Sequence, residues 1–121
     1  MDKTHILIVE DEGIVAITTK LMLNEMGHEV TGITDNYSDT LSLLTKNEPD
    51  LILMDIVIKG DMDGIDTAEE IKKIYDIPIV FVTAYGDKKT MERIKAVQSL
   101  GCLHKPFNES AIRKIIDSIK N

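Results

Sequence analysis

Four clusters of polar residues each follow directly on a short apolar run. Glu10-Asp11-Glu12 comes after Ile6-Leu7-Ile8-Val9, Asp55 after Leu51-Ile52-Leu53-Met54, Thr83-Ala84 after Ile79-Val80-Phe81-Val82, and His104-Lys105-Pro106 after Cys102-Leu103. Carboxylates brought together repel one another unless a cation sits among them. A hard oxygen cluster with an open side suits Mg²⁺, which keeps several waters and accepts phosphate oxygens. Lys105 adds a fixed positive charge, Thr83 a hydroxyl and Ala84 a backbone N–H with no bulky side chain in the way, the donors that a transferring phosphoryl group requires. A carboxylate can itself be the nucleophile in such chemistry, forming an aspartyl phosphate, and Asp55 is the candidate. Each residue has a plainer explanation when taken singly. Glu12 is explained equally well as a first-turn charge favouring a helix dipole and stays outside the candidate set; Lys105 reads as a surface lysine and Thr83 as a capping hydroxyl. What favours chemistry is that four runs would deliver compatible groups to one place.

The elements that must position them are legible in the apolar pattern. Three of the runs are continuous rather than alternating, which calls for strands buried on both faces of a parallel sheet. Val30 to Ile33 supplies another strand and Cys102-Leu103 a short fifth. Helical spacing separates them: Ile14, Ile17 and Leu21 after the first run, Ile65, Ala68 and Ile71 after the third, and Ile112, Ile115, Ile116 and Ile119 at the end, with Asn108 or Ser110 as N-cap. Weaker helical signals surround Leu41 to Leu44 and Met91 to Val97. Five strand–helix units joined by right-handed crossovers make a doubly wound α/β sheet of five parallel strands in the order 2-1-3-4-5 with five helices. Gly27 closes the first helix, and Pro49 and Pro78 stand just ahead of strands three and four. In such a sheet ligands bind beyond the carboxyl ends of the strands, where the strand order reverses, which is where the four polar clusters fall.

Composition narrows the classes. The 121 residues support a single domain spanning 1–121, and 43% hydrophobic with 29% charged residues is the balance of a globular chain. A net charge of −7 repels nucleic acid and anionic lipid, so neither is an expected partner. The single cysteine, Cys102, excludes an internal disulfide framework, and no apolar run reaches the ~20 residues of a membrane span. A cytoplasmic location is the expectation.

This constellation resembles the receiver domain of two-component response regulators over nearly the whole chain. The matching pieces are Val9-Glu10-Asp11-Glu12, Pro49-Asp50-Leu51-Ile52-Leu53-Met54-Asp55, Met62-Asp63-Gly64, Thr83-Ala84 and Lys105-Pro106-Phe107. The resemblance implies that Asp55 is the phosphoacceptor. It makes Glu10 and Asp11 the acidic pair holding Mg²⁺, with Asp55 and the carbonyl of Val57 as further ligands. Thr83 matches the family's switch hydroxyl, Lys105 its phosphate-contacting lysine, and Lys105-Pro106 a peptide that is usually cis. The donor would be a sensor histidine kinase or a histidine phosphotransfer protein. A downstream target would read helix four, strand five and helix five, the module promoting its own acyl-phosphate chemistry without being a conventional enzyme. Two features depart from the family. Lys59 stands where proline is common, in a loop one residue longer, and Cys102 replaces the usual switch Tyr or Phe. Cys102 is too small to fill two positions, so Tyr85, two residues after the switch hydroxyl, is expected to carry most of the coupling instead.

Other readings are weaker. Asp61-Met62-Asp63-Gly64 mimics a phosphatase nucleophile motif but lies away from the strand end. Counted from Lys59 the same stretch resembles a calcium loop whose first position is a lysine rather than a carboxylate. His5, His28 and His104 have no partner at metal-ligand spacing. Met22, Met26, Met54 and Met91 read as core filler, Cys102 as a small buried hydrophobe, and Tyr37 and Tyr75 as borders of helix faces. A flavin-carrying rival on the same fold is opposed by the acids after strand one, and a non-phosphorylated interaction module by the intact Asp55, Asp11, Thr83 and Lys105.

Overall fold

Runs of Ile, Leu and Val without polar alternation must find apolar cover on both sides. In the computed structural model, which describes residues 3–84 and 86–120, they do so in the middle of a sheet. The strands β1 (His5–Val9), β2 (Glu29–Thr34), β3 (Leu51–Asp55), β4 (Ile79–Thr83) and β5 (Cys102–His104) are all parallel and ordered β2-β1-β3-β4-β5, as the sequence pattern requires. Each is followed by a helix: α1 (Gly13–Glu25), α2 (Tyr37–Lys46), α3 (Gly64–Ile74), α4 (Lys88–Ala96) and α5 (Glu109–Lys120). The two-residue period of the strands divides the core. Leu7, Val9, Ile52, Met54, Ile79 and Phe81 face Leu44, Ile65, Ala68, Ile71 and Ile94 of α2, α3 and α4. Ile6, Ile8, Leu51, Leu53, Val80 and Val82 face Ala16, Leu23, Ile112 and Ile116 of α1 and α5.

Local chemistry sets the helix boundaries. Asn36, Asp63, Asp87 and Asn108 each accept the backbone N–H of the residue three positions on, so Asn108 rather than Ser110 caps α5. Gly27, at φ +90°, takes the left-handed turn after α1. Met54 is fully buried, while Met22, Met26, Met91, Tyr75 and Cys102 pack half-buried against the two cores. His28 Nδ1 accepts the Thr4 N–H at 3.3 Å, and His5 lies between Glu29 and Asp50.

One expectation is overturned. Ile14, Ile17 and Leu21 do not form the core face of α1; they are 84%, 56% and 58% exposed. The buried stripe is Ala16, Thr19 and Leu23, flanked by Val15, Met22 and Met26. Both stripes have helical spacing, and the fold buries the one that carries the smaller residues. Small Ala16 packs in the core against the sheet, and the bulkier stripe faces outward. Tyr85 lies outside the described residues.

Candidate functional site

The sheet brings the strand-end groups together. Glu10 continues β1 by donating its N–H to the Thr34 carbonyl at 2.8 Å, and its side chain is buried; Asp55 is the last residue of β3, in register with Val82. Lys105 follows β5, donates its backbone N–H to Thr83 O at 2.8 Å, and is joined to Pro106 by a cis peptide. Its ammonium lies 2.7 Å from Glu10 Oε1, 3.0 Å from Asp55 Oδ2 and 3.8 Å from Glu12 Oε1. Glu10, Asp11 and Asp55 each offer a carboxylate oxygen within 4.8 Å of the others, so the acidic set expected for Mg²⁺ is spatially real.

Electrostatics makes this pocket hungry for a cation. Glu10 is pushed up to about 7, first by burial and then by its hydrogen bond with the Asp55 carboxyl, despite the opposing pull of Lys105 and the Glu12 N–H. Burial alone would draw Lys105 down, but its bonds to Glu10 and Asp55 outweigh that and hold it protonated. One ammonium thus serves several carboxylates, two of them buried, and a hard divalent ion among those oxygens would relieve the remaining repulsion. The donor set fits Mg²⁺: carboxylate oxygens only, on an open edge of the sheet.

Thr83 is buried at the end of β4 and Ala84 exposed just beyond it, so both lie on the same edge. Val57 is exposed and donates its N–H to Asp55 Oδ1 at 3.3 Å. Glu12 serves as N-cap residue of α1 without a side-chain cap bond, and its N–H donates to Glu10 Oε2 at 3.1 Å, orienting that carboxylate. Cys102 sits half-buried in β5, its thiol pushed up by burial, a poor nucleophile. Pro106 and Phe107 line an apolar cleft of about 400 Å³ with Ile14, Val15 and Met22, beside Lys105.

Three features escaped the sequence. Lys59 donates its N–H to Asp35 O at 2.9 Å and pairs with the Asp35 carboxylate at 3.1 Å, so the longer loop is stitched to the end of β2 and its extra residue turns out at Gly60, φ +96°. Gly64 lies directly on the Asp55 carbonyl, where any side chain would overlap backbone, and donates its N–H to Ile56 O at 2.7 Å. Asp63 caps α3 and is gripped by Arg93. For Asp63 a signal was present, since an aspartate ahead of an apolar-periodic stretch is an N-cap pattern; nothing local marks Arg93 as its partner.

A five-stranded parallel sheet in this order, with acids at its carboxyl edge and a lysine reaching back to them from β5, defines a flavodoxin-like receiver fold. The family model described as the response regulator receiver domain matches residues 6–117. The chain is 33% identical over 113 residues to the transcriptional regulatory protein PdtaR of Mycobacterium tuberculosis, covering 93% of this chain and 55% of that one. It is 34% identical over 117 residues to sporulation initiation phosphotransferase F of Bacillus subtilis, covering 96% and 93%. Among solved structures, the signal receiver domain of a modulated diguanylate cyclase from Desulfovibrio desulfuricans superposes with a TM-score of 0.90 at 32% identity, over 98% and 94% of the two chains. The chain belongs to the response regulator receiver domain family, the signalling modules of two-component systems. It spans about half the length of relatives such as PdtaR. No helix among the described residues is long and apolar enough to cross a membrane.

Proposed function

We propose that Asp55 accepts a phosphoryl group from a histidine-containing donor, a sensor histidine kinase or a histidine phosphotransfer protein, in a Mg²⁺-dependent reaction. An Asp55 carboxylate oxygen attacks phosphorus, the donor's P–N bond breaks, and its electron pair returns to the imidazole nitrogen, which takes a proton from solvent. Glu10, Asp11 and Asp55, with the Val57 carbonyl, would hold the Mg²⁺, which when bound neutralises charge on the phosphoryl oxygens. Lys105 adds its positive charge to the same group, and the Thr83 hydroxyl and Ala84 N–H would donate to it. Hydrolysis of the acyl phosphate at the same site resets the module. The observation that carries this reading is the buried contact of Lys105 with both Glu10 and Asp55 in a carboxylate cluster completed by Asp11.

The outward Ile14, Ile17 and Leu21 of α1, beside the cleft at Pro106 and Phe107, support docking of the donor on this side, where its histidine would reach Asp55. The phosphorylated form is read by a downstream partner through the α4, β5 and α5 face. The test is intact-mass spectrometry after exposure to acetyl phosphate. One phosphoryl adduct should form with Mg²⁺ and be lost on chelation and in Asp55→Asn; an adduct that persists in the variant refutes the proposal.

A further inference from the structure

Arg93, in α4, reaches across to the first turn of α3. Its Nη1 donates to Asp63 Oδ2 at 2.7 Å, and its Nη2 donates to Asp63 Oδ1 at 3.3 Å and Asp66 Oδ1 at 3.0 Å. A planar guanidinium holding one carboxylate with both arms fixes direction as well as distance. Asp63 is itself rigidly held. Its Oδ1 accepts the Asp66 N–H at 2.8 Å, and its carbonyl accepts both the N–H and the hydroxyl of Thr67, at 3.0 and 2.8 Å. The next residue, Gly64, rests on the Asp55 carbonyl with no room for a Cβ. An unbroken series of short contacts therefore runs from the backbone of Asp55 to the side chain of Arg93.

At its other attachments α4 is lightly held. Ile94 is its one fully buried residue, with Met91 half-buried and Val97 just past its end. From β5, Cys102 offers a short side chain whose thiol bonds the carbonyl of its own neighbour, Leu103. Among the described residues, the fork of Arg93 on Asp63 is a directional tie between α4 and the cap of α3, which follows the β3 end.

We infer that this fork couples the phosphoacceptor end of β3 to α4, with Arg93 as a positioning residue that makes α4 answer a change at Asp55. The inference rests on the reading that Asp55 takes the phosphoryl group. That modification replaces a carboxylate with a bulkier, more highly charged group where Lys105 now spans Glu10 and Asp55, so the bonds that hold the β3 end are redrawn. Gly64 has no slack against the Asp55 carbonyl and must follow, and the fork delivers the displacement to α4. A modification shifts a two-state surface only through contacts that differ between the states, and the fork supplies such a contact.

The experiment compares amide NMR spectra of the full chain before and after adding Mg²⁺ with beryllofluoride, a phosphoryl mimic, in the parent, R93M, R93K and D66N proteins. The methionine retains the aliphatic stem but not the fork. In the parent, shifts should change at Gly64, at Thr83 and along residues 88–96. R93M should keep the changes at Gly64 and Thr83 and lose more than half of those in α4. R93K, able to reach Asp63 from one point, should recover part. D66N, which leaves both Asp63 bonds in place, should match the parent before activation and show a smaller loss than R93M, separating coupling from simple loosening of α4. A full α4 response in R93M would overturn the inference while leaving Asp55 as acceptor. No response at Gly64 or Thr83 in the parent would overturn the phosphoacceptor reading and the inference with it.

Discussion

Two clusters in this protein are built alike, one cation serving more than one carboxylate, yet they are in opposite electrostatic condition. Lys105, Glu10 and Asp55 are 16%, 5% and 7% exposed, and Glu10 is pushed up to about 7 by burial and by its neighbour Asp55. Arg93, Asp63 and Asp66 are 39%, 33% and 45% exposed. There burial alone would raise Asp63, but the Arg93 bonds and the backbone N–H groups of the α3 cap hold it below its usual value. The difference lies in the supply of donors. A helix N-terminus and a five-donor guanidinium satisfy a carboxylate fully, whereas one ammonium spread over a buried acid group does not. The first cluster is consequently poised for a further cation, and the second is a finished structural joint.

The largest expected effect comes from the residue that links the two. Gly64→Ala forces a Cβ into the Asp55 carbonyl, so it should cost about 3 kcal/mol or more in urea unfolding and disturb both clusters at once. Near-parental stability would show that the β3 end has slack.

The contrast sharpens with Glu10→Gln. Because the folded protein holds the Glu10 proton more tightly than the usual value of 4.5, its contribution to stability is present below 4.5 and is lost as pH rises toward 7. Without Mg²⁺, the glutamine variant should therefore be more stable than the parent above pH 7, by about 1–2 kcal/mol, and should lose the rise in Tm that Mg²⁺ gives the parent. Calorimetry with and without the ion checks both.

Arg93→Met should behave in the opposite sense. Asp63 is held below 3.8, so the stability it contributes is present above that value and lost as pH falls through the lowered one. The variant should be destabilised by about 1 kcal/mol at neutral pH, a modest figure for a pair this exposed, and the gap from the parent should close in acid. A gap independent of pH would mean that lost packing, not charge, sets the effect.

The smallest effect on stability belongs to Ile14→Ser, outside both clusters: within about 0.5 kcal/mol, since Ile14 is 84% exposed, while phosphoryl transfer from a histidine phosphotransfer protein slows and transfer from acetyl phosphate does not.

The strands and the gathering of polar groups at their ends were legible because each signal is local. A continuous apolar run ending in an acid or lysine states both burial and edge, and Ile65, Ala68 and Ile71 admitted one helix face. α1 misled because two stripes of helical spacing compete in it, and the less hydrophobic one, Ala16, Thr19 and Leu23, is the one buried. The Arg93–Asp63 fork was illegible for a different reason. Its partners are 30 residues apart and meet only once β3, α3, β4 and α4 are stacked. Lys59 remains a departure from the family pattern, and its pairing with Asp35 at the end of β2 carries no local signal in the sequence.

The central claim, that the buried cluster and not the exposed one carries the phosphoryl chemistry, is tested most directly by locating the acyl phosphate. After reaction with acetyl phosphate and Mg²⁺, borohydride reduction converts a phosphorylated aspartate to homoserine, which peptide mass spectrometry places in the chain. Homoserine at position 55 alone is the predicted result; homoserine at Asp11, Asp63 or Asp66 with Asp55 unchanged would contradict it.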